Sequence, residues 1–165
     1  MSNDYLDLQT MPRIASSVAI ATQRLSQLVR GELEKVFNEF GELSLIEWRI
    51  CLKLFDAGLT TQKEIVAFTK MQQAQVSRSL RSLEERKFIK TERGVEDRRN
   101  RLFSLTRKGR QQIKIYSPII EQFCSTIDDE FTLTEIKQYL AMSERIAQAS
   151  LQARGMTSKG NKAVA

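Results

Sequence analysis

Apolar residues recur at helical spacing over the first quarter of the chain: Leu25, Leu28, Val29, Leu33, Val36, Phe37 and Phe40, with Ile14 and Val18 upstream. The i, i+3, i+4, i+7 pattern predicts a helix over 13–40, and Gly41 is its natural stop. Ser44-Leu45-Ile46-Glu47 is a capping box, in which the Ser hydroxyl and the Glu carboxylate satisfy unpaired N–H groups reciprocally. The helix it opens carries Trp48, Ile50, Cys51, Leu52, Leu54 and Phe55, apolar on most sides, as a central buried helix should be. Gly58 ends it. A second box, Thr61-Gln62-Lys63-Glu64, opens a short helix with Ile65, Val66 and Phe68. A fourth helix, over 72–86, has the apolar stripe Val76, Leu80, Leu83.

The period then changes from helical to alternating. Phe88-Ile89-Lys90-Thr91-Glu92 and Leu102-Phe103-Ser104-Leu105 are short and β-prone, and the stretch between them is polar and turn-like. They predict a β-hairpin. A fifth helix follows Thr106 and runs to Asp128, with Ile113, Tyr116, Ile120, Phe123 and Ile127 on one face. Pro118 inside it removes one backbone bond and predicts a kink. A third box, Thr132-Leu133-Thr134-Glu135, opens the last helix, which carries Ile136, Leu140 and Ile146 to Leu151. Residues 1–12 read as a flexible arm and 152–165 as a disordered tail. The fold class is mainly α with a small β-hairpin.

The chain of 165 residues fits one domain with terminal arms. No apolar run approaches the roughly 20 residues of a bilayer span. The first residues lack the basic and apolar regions of a secretory signal, so the expectation is a cytoplasmic protein. There is no histidine, which removes the commonest general base and transition-metal ligand. Neither a Gly-rich phosphate loop nor a nucleophile elbow is legible, and the expectation is no enzyme, no cofactor and no metal. The two cysteines, Cys51 and Cys124, lie far apart without metal-ligand spacing, and both occupy apolar helical stretches. Buried structural thiols are expected.

Net charge is +6, but its distribution is uneven. Residues 70–110 hold thirteen Lys/Arg against five Asp/Glu, a net of +8, which leaves the rest of the chain at −2. A concentrated basic segment is the footprint of a polyanion-binding surface. The third and fourth helices, joined by Thr69-Lys70-Met71, have the order of a helix-turn-helix, whose second helix enters the major groove. With Val76, Leu80 and Leu83 inward, rotation at about 100° per residue puts Ala74, Gln75, Arg78, Arg81 and Ser82 on the outer side. With Ser77 they form the candidate DNA-reading face. Arginine forks onto guanine edges or phosphates, and glutamine pairs bidentately with adenine. Asp97-Arg98-Arg99-Asn100-Arg101 sets three more arginines at the hairpin tip, where a narrow loop can reach a minor groove. Asp97 among them is expected to hold one guanidinium in a fixed pose.

These residues resemble a family. Val76-Ser77-Arg78, Leu83-Glu84-Glu85-Arg86, Phe88-Ile89, Asp97-Arg98-Arg99 and Leu105-Thr106-Arg107-Lys108-Gly109 look like the recognition-helix-to-wing signature of MarR-type winged helix-turn-helix regulators. Leu45-Ile46-Glu47-Trp48-Arg49-Ile50 is similar to that family's second helix. The resemblance covers 13–151, read as dimerisation helices (13–43 and 107–151) around a winged helix (44–106). It implies a homodimer on a palindromic double-stranded DNA operator, a repressor role, and release by a small effector. An aromatic ligand near Trp48 is the candidate effector. Two departures are visible. The family commonly has glycine where Lys87 stands, and Gln72 occupies a helix-cap position usually filled by Asp, Ser or Thr. The family's peroxide-sensing branch carries its reactive cysteine in the first helix, where this chain has none. Two other readings stay open: a winged-helix adaptor whose basic face binds protein, and a thiol redox sensor using Cys51.

Overall fold

The structure, a computed structural model, describes residues 17–93 and 101–160. The elements in order are α1 (Ser17–Phe40), α2 (Leu45–Ala57), β1 (Thr60–Thr61), α3 (Gln62–Thr69), α4 (Gln73–Glu85), β2 (Ile89–Arg93), β3 (Arg101–Leu105), α5 (Arg107–Asp128) and α6 (Leu133–Gly160). Among the described residues no helix is long and apolar enough to cross a membrane.

The chain divides into two compact units. One comprises Arg30–Glu121, the other the two chain ends up to Val29 and from Gln122. The boundaries fall inside α1 and α5. The reason is packing. Phe37 and Leu43 before α2, and Ile113, Tyr116 and Ile120 on α5, all belong to the core built by α2, α3, α4 and the sheet. Ile50, Leu54, Ile65, Val76, Leu83 and Phe88 are fully buried there. At about 1.5–3 kcal/mol for each side chain withdrawn from water, this cluster is the main source of the unit's stability. Phe37 stacks on Tyr116 at 4.9 Å between centroids, and the Tyr116 hydroxyl accepts the Leu43 N–H at 3.1 Å.

All three capping boxes form. Ser44, Thr61 and Thr132 each accept an N–H three residues on, from Glu47, Glu64 and Glu135. The sheet has three strands, not two, in the order β1–β3–β2 and antiparallel throughout. β2 and β3 pair from Ile89 with Leu105 to Arg93 with Arg101, and Thr60 pairs with Phe103. β1 is only two residues long and has no period to read, so the hairpin was legible and its third strand was not.

In the second unit the apolar residues are largely uncovered: Val18, Ile127, Phe131, Leu133, Tyr139, Leu140, Met142 and Leu151 are all at least 40% exposed. α6 runs to Gly160, across the first nine residues of the expected disordered tail. Gln152, Ala153 and Met156 are good helix formers, and no proline interrupts them. The N-terminal arm lies outside the described residues.

Candidate nucleic-acid interface

α3 is closed at its C-terminal end by Lys70, which is left-handed at φ +55° and donates its N–H to the Val66 carbonyl at 3.0 Å. The chain then turns through Met71 and Gln72 into α4. Gln72 makes no side-chain cap bond, as its residue type predicts. Along α4, Val76, Leu80 and Leu83 are buried and anchor the helix on the core. Ala74, Ser77, Arg78 and Arg81 are exposed on the other side, and Gln75 is half-buried at the margin. Among the described residues Arg78 and Arg81 form no ion pair. Two free guanidiniums on successive turns are therefore available to an anion.

Two residues expected on this face are engaged elsewhere. The Ser82 hydroxyl donates to Glu47 Oε1 at 2.9 Å, so Ser82 ties α4 to α2. Its position beside Leu83 leaves it half-turned toward the core. Arg101 is in a strand, opposite Arg93, not at a loop tip. Its guanidinium reaches Glu84 Oε2 at 3.0 Å and lies 5.4 Å from the Phe103 ring centre. Glu84 is also held by the Thr91 hydroxyl at 2.5 Å, so Arg101 braces the wing against α4. Asp97, Arg98 and Arg99 lie outside the described residues.

The C-terminal end of α4 closes as a Schellman motif. Phe88 N–H donates to the Leu83 carbonyl and Lys87 N–H to that of Glu84. Leu83 and Phe88, the hydrophobic pair of that motif, are both fully buried. Lys87 takes the left-handed position at φ +62°. The Leu105-Thr106-Arg107-Lys108-Gly109 stretch also acquires a structural reason. The Thr106 hydroxyl donates to the Lys87 carbonyl at 2.7 Å and accepts the Gly109 N–H at 3.2 Å. Gly109 is buried against the Phe88 carbonyl and Leu105, where there is no room for a Cβ.

Glu47 is the buried carboxylate of the unit. Burial alone pushes its pKa up, but the Ser44 N–H, Arg86 and Ser82 outweigh that and hold it below the usual range. Its link to Arg86 crosses 39 residues of sequence and was not legible; only its capping role was. Glu64, bonded by the Thr60 hydroxyl, the Thr61 N–H and the Thr61 hydroxyl, is lowered to about 2. A cleft of about 420 Å³, lined by Gln62, Lys63, Val66 and Gln73, lies where α3 and α4 begin. Nothing local to Gln62 and Lys63 marks them as cleft residues, because the cleft exists only where the starts of two helices meet.

Trp48 is half-buried, 5.7 Å from Phe37 between ring centres, and its Nε1 is buried with no hydrogen-bond partner among the described residues. Cys51 is fully buried. Desolvation first, and then the Glu47 charge, push its thiol up to about 12. Cys124, expected to be buried, is exposed, because the buried stripe of α5 passes through Tyr116 and Ile120 and ends before it. Among the described residues no group of three His, Cys, Asp or Glu side chains could hold a metal ion.

Comparison with known proteins gives a consistent picture. A MarR family model matches residues 52–100, from inside α2 to the hairpin. An uncharacterised HTH-type transcriptional regulator of Bacillus subtilis, YdcH, is 32% identical over 78 residues, 47% of this chain. The chain spans about half (50%) of the length of that relative. The Staphylococcus aureus MepR–DNA complex superposes with a TM-score of 0.72 at 19% identity, covering 79% of this chain and 96% of that one. Bordetella bronchiseptica BpsR, whose DNA binding is regulated by 6-hydroxynicotinic acid, superposes with a TM-score of 0.70 at 20% identity, covering 80% and 99%. At such identities the structural likeness establishes the fold.

Proposed function

We propose that the chain is a MarR-type winged helix-turn-helix protein, a sequence-specific DNA-binding transcription regulator acting as a homodimer on a palindromic operator. The observation that carries this reading is α4. Its apolar stripe is buried, while Arg78 and Arg81 stand exposed on the opposite face, without ion pairs among the described residues, beside a basic hairpin. α4 is the recognition helix in the major groove, and the hairpin is the wing at the adjacent minor groove. Operation in the cytoplasm follows from that role.

The regulatory part of the proposal is repression relieved by a small aromatic acid bound near Trp48. BpsR is regulated by 6-hydroxynicotinic acid, and the unpartnered indole N–H of Trp48 is a donor with nothing to satisfy it among the described residues. Such a ligand shifts the DNA-binding equilibrium only by its affinity difference for the two states. Trp48 is the only tryptophan, so its emission reports occupancy directly. Emission unchanged while a ligand releases DNA would place the effector site elsewhere. A redox role for Cys51 has little support, since a buried thiol held near 12 is not the reactive thiolate.

The test is selection of bound sites from random DNA, followed by salt titration. A palindrome with half-sites one helical turn apart, roughly 34 Å, is the expected result. Arg99→Ala, at the position the family signature assigns to the wing, is expected to cost on the order of 1–3 kcal/mol at each half-site with thermal stability unchanged. Asp97→Ala should do the same more mildly. Retention of wild-type affinity by Arg99→Ala would remove the wing from the interface.

A further inference from the structure

By composition Arg86 belongs to the basic, DNA-facing segment; in the structure its partly exposed guanidinium is engaged by α2 and the loop before it. Its Nη2 donates to Glu47 Oε1, which also accepts the Ser82 hydroxyl, and its Nη1 donates to the Glu42 carbonyl at 2.8 Å. The guanidinium lies 5.0 Å from the centre of the Phe88 ring. Lys108 stands over the same ring at 4.0 Å, its ammonium 3.9 Å from the Glu42 carboxylate. One planar fork thus joins the last turn of α4 to the first turn of α2 and to the loop that precedes it.

We propose that Arg86 is a positioning residue, the pivot that sets the pose of α4, and not a contact to DNA phosphate. This rests on the reading of α4 as the recognition helix. Val76 packs the first turn of α4 on the core, but side-chain hydrogen bonds hold the two ends unequally. The first turn has no side-chain cap. The last turn is held by the Schellman closure, by Ser82 and Arg86 on Glu47, by Arg86 on the Glu42 carbonyl, and by the Thr106 hydroxyl on the Lys87 carbonyl. A helix of 13 residues is about 20 Å long, so a tilt of about 5° at the last turn moves the first turn by roughly 1.7 Å. That exceeds the tolerance of a hydrogen bond to a base edge, which spans only about 0.5 Å in donor–acceptor distance. Phosphate attraction is far less sensitive to such a tilt, because it is long-ranged and carries no sequence information. The pivot therefore governs specific binding more than total binding. Lysine cannot replace the fork, because one ammonium on a flexible stem does not span the Glu47 carboxylate and the Glu42 carbonyl in a fixed plane.

The experiment uses the full chain with Arg86→Lys, Arg86→Gln and Ser82→Ala, and with Arg81→Ala as the phosphate-binding control. Affinity for the selected site and for random-sequence duplex is measured across a salt series, and folding is checked by circular dichroism. Positioning predicts that Arg86→Lys and Arg86→Gln lose on the order of tenfold in affinity for the selected site. Random-duplex affinity and the salt slope should match wild type, and Ser82→Ala should show a smaller loss of the same kind. Arg81→Ala should weaken both kinds of binding and lower the slope by about 0.9 for each phosphate that is no longer neutralised. Wild-type selectivity in Arg86→Lys, or a reduced slope and weaker random-duplex binding in Arg86→Gln, would make Arg86 a phosphate contact and overturn the proposal. Should Arg86→Gln fail to fold, Arg86→Lys and Ser82→Ala decide on selectivity. A wild-type chain without any sequence preference would overturn the DNA-binding reading itself, and that result precedes every variant.

Discussion

Lys87 sits at φ +62°, where a Cβ crowds the backbone and glycine is the undemanding residue. The family resemblance flagged this position, and the Schellman closure explains it: the residue after the cap must be left-handed for Phe88 to reach back to Leu83. Lys87→Gly is therefore expected to stabilise the fold by about 0.5–1 kcal/mol, the relief of strain being partly offset by glycine's greater unfolded-state freedom. A rise in the urea midpoint at constant slope is the measurement; a fall would mean that the lysine side chain contributes more than its backbone strain costs. Gly109 is the opposite case. Its φ is unexceptional, but a Cβ there would fall on the Phe88 carbonyl and within 2.9 Å of Leu105 Cδ2. Gly109→Ala must push α5 away from the hairpin, and we expect a loss of at least about 2 kcal/mol, in the range of overpacked cores. A Tm within a degree or two of wild type would show that α5 shifts freely. Glycine at 109 is visible in the sequence, but the need for it arises from the Phe88 carbonyl between α4 and β2, which nothing near Gly109 announces.

At the scale of the element, three helices begin with the same device. Glu47, Glu64 and Glu135 are all held below the ordinary carboxylate value of 4.5 by the N–H and hydroxyl groups they accept. For Glu47, burial opposes the shift; Glu64 is lowered furthest, first by the Thr60 hydroxyl, and reaches about 2. A depressed folded-state pKa means that the unfolded chain binds the proton more readily. The stabilisation is fully present above about 4.5 and is lost as pH falls toward 2. Stability should accordingly fall across that window, and Glu64→Gln should flatten the fall while lowering stability at neutral pH. Thermal unfolding followed from pH 6 downward, roughly the range in which carboxylates protonate, checks both. Parallel curves for the variant and the wild type would exclude Glu64 from the acid response. The boxes could be read from four residues each, because capping is a local interaction. The Glu47–Arg86 bond could not, because nothing within a few residues of either partner announces the other.

For the whole molecule, the outstanding feature is the apolar surface of the unit formed by the chain ends. Leu133, Leu151, Leu140 and Tyr139 are more than half exposed. Exposed apolar surface of this kind marks an interaction site, and a second copy of the same unit is the occupant that the proposed palindromic operator requires. Leu140→Glu should then shift the protein to monomer and reduce operator affinity, because each half-site would be bound without its twin. Sedimentation at micromolar concentration, together with an operator-binding curve, is the check. A wild-type chain that sediments as a monomer would remove the dimer, and Leu140→Glu that stays dimeric would place the interface on another face.

The sequence by itself determined the helices, their caps, the hairpin and the exposed arginines of α4, because periodicity, capping and helix phase act within one or two turns. It also carried the concentration of basic charge in residues 70–110, since a sum over residues needs no coordinates. Only the tertiary structure decided which of those basic residues are free. Arg78 and Arg81 make no ion pair among the described residues, whereas Arg86 and Arg101 are held by Glu47 and Glu84. All four share one residue type, and neither type nor local pattern separates them. Their different fates come from partners on other elements, 39 residues from Arg86 and 17 from Arg101, brought within reach by the packing of α2 and β2 against α4 and the pairing of β3 with β2.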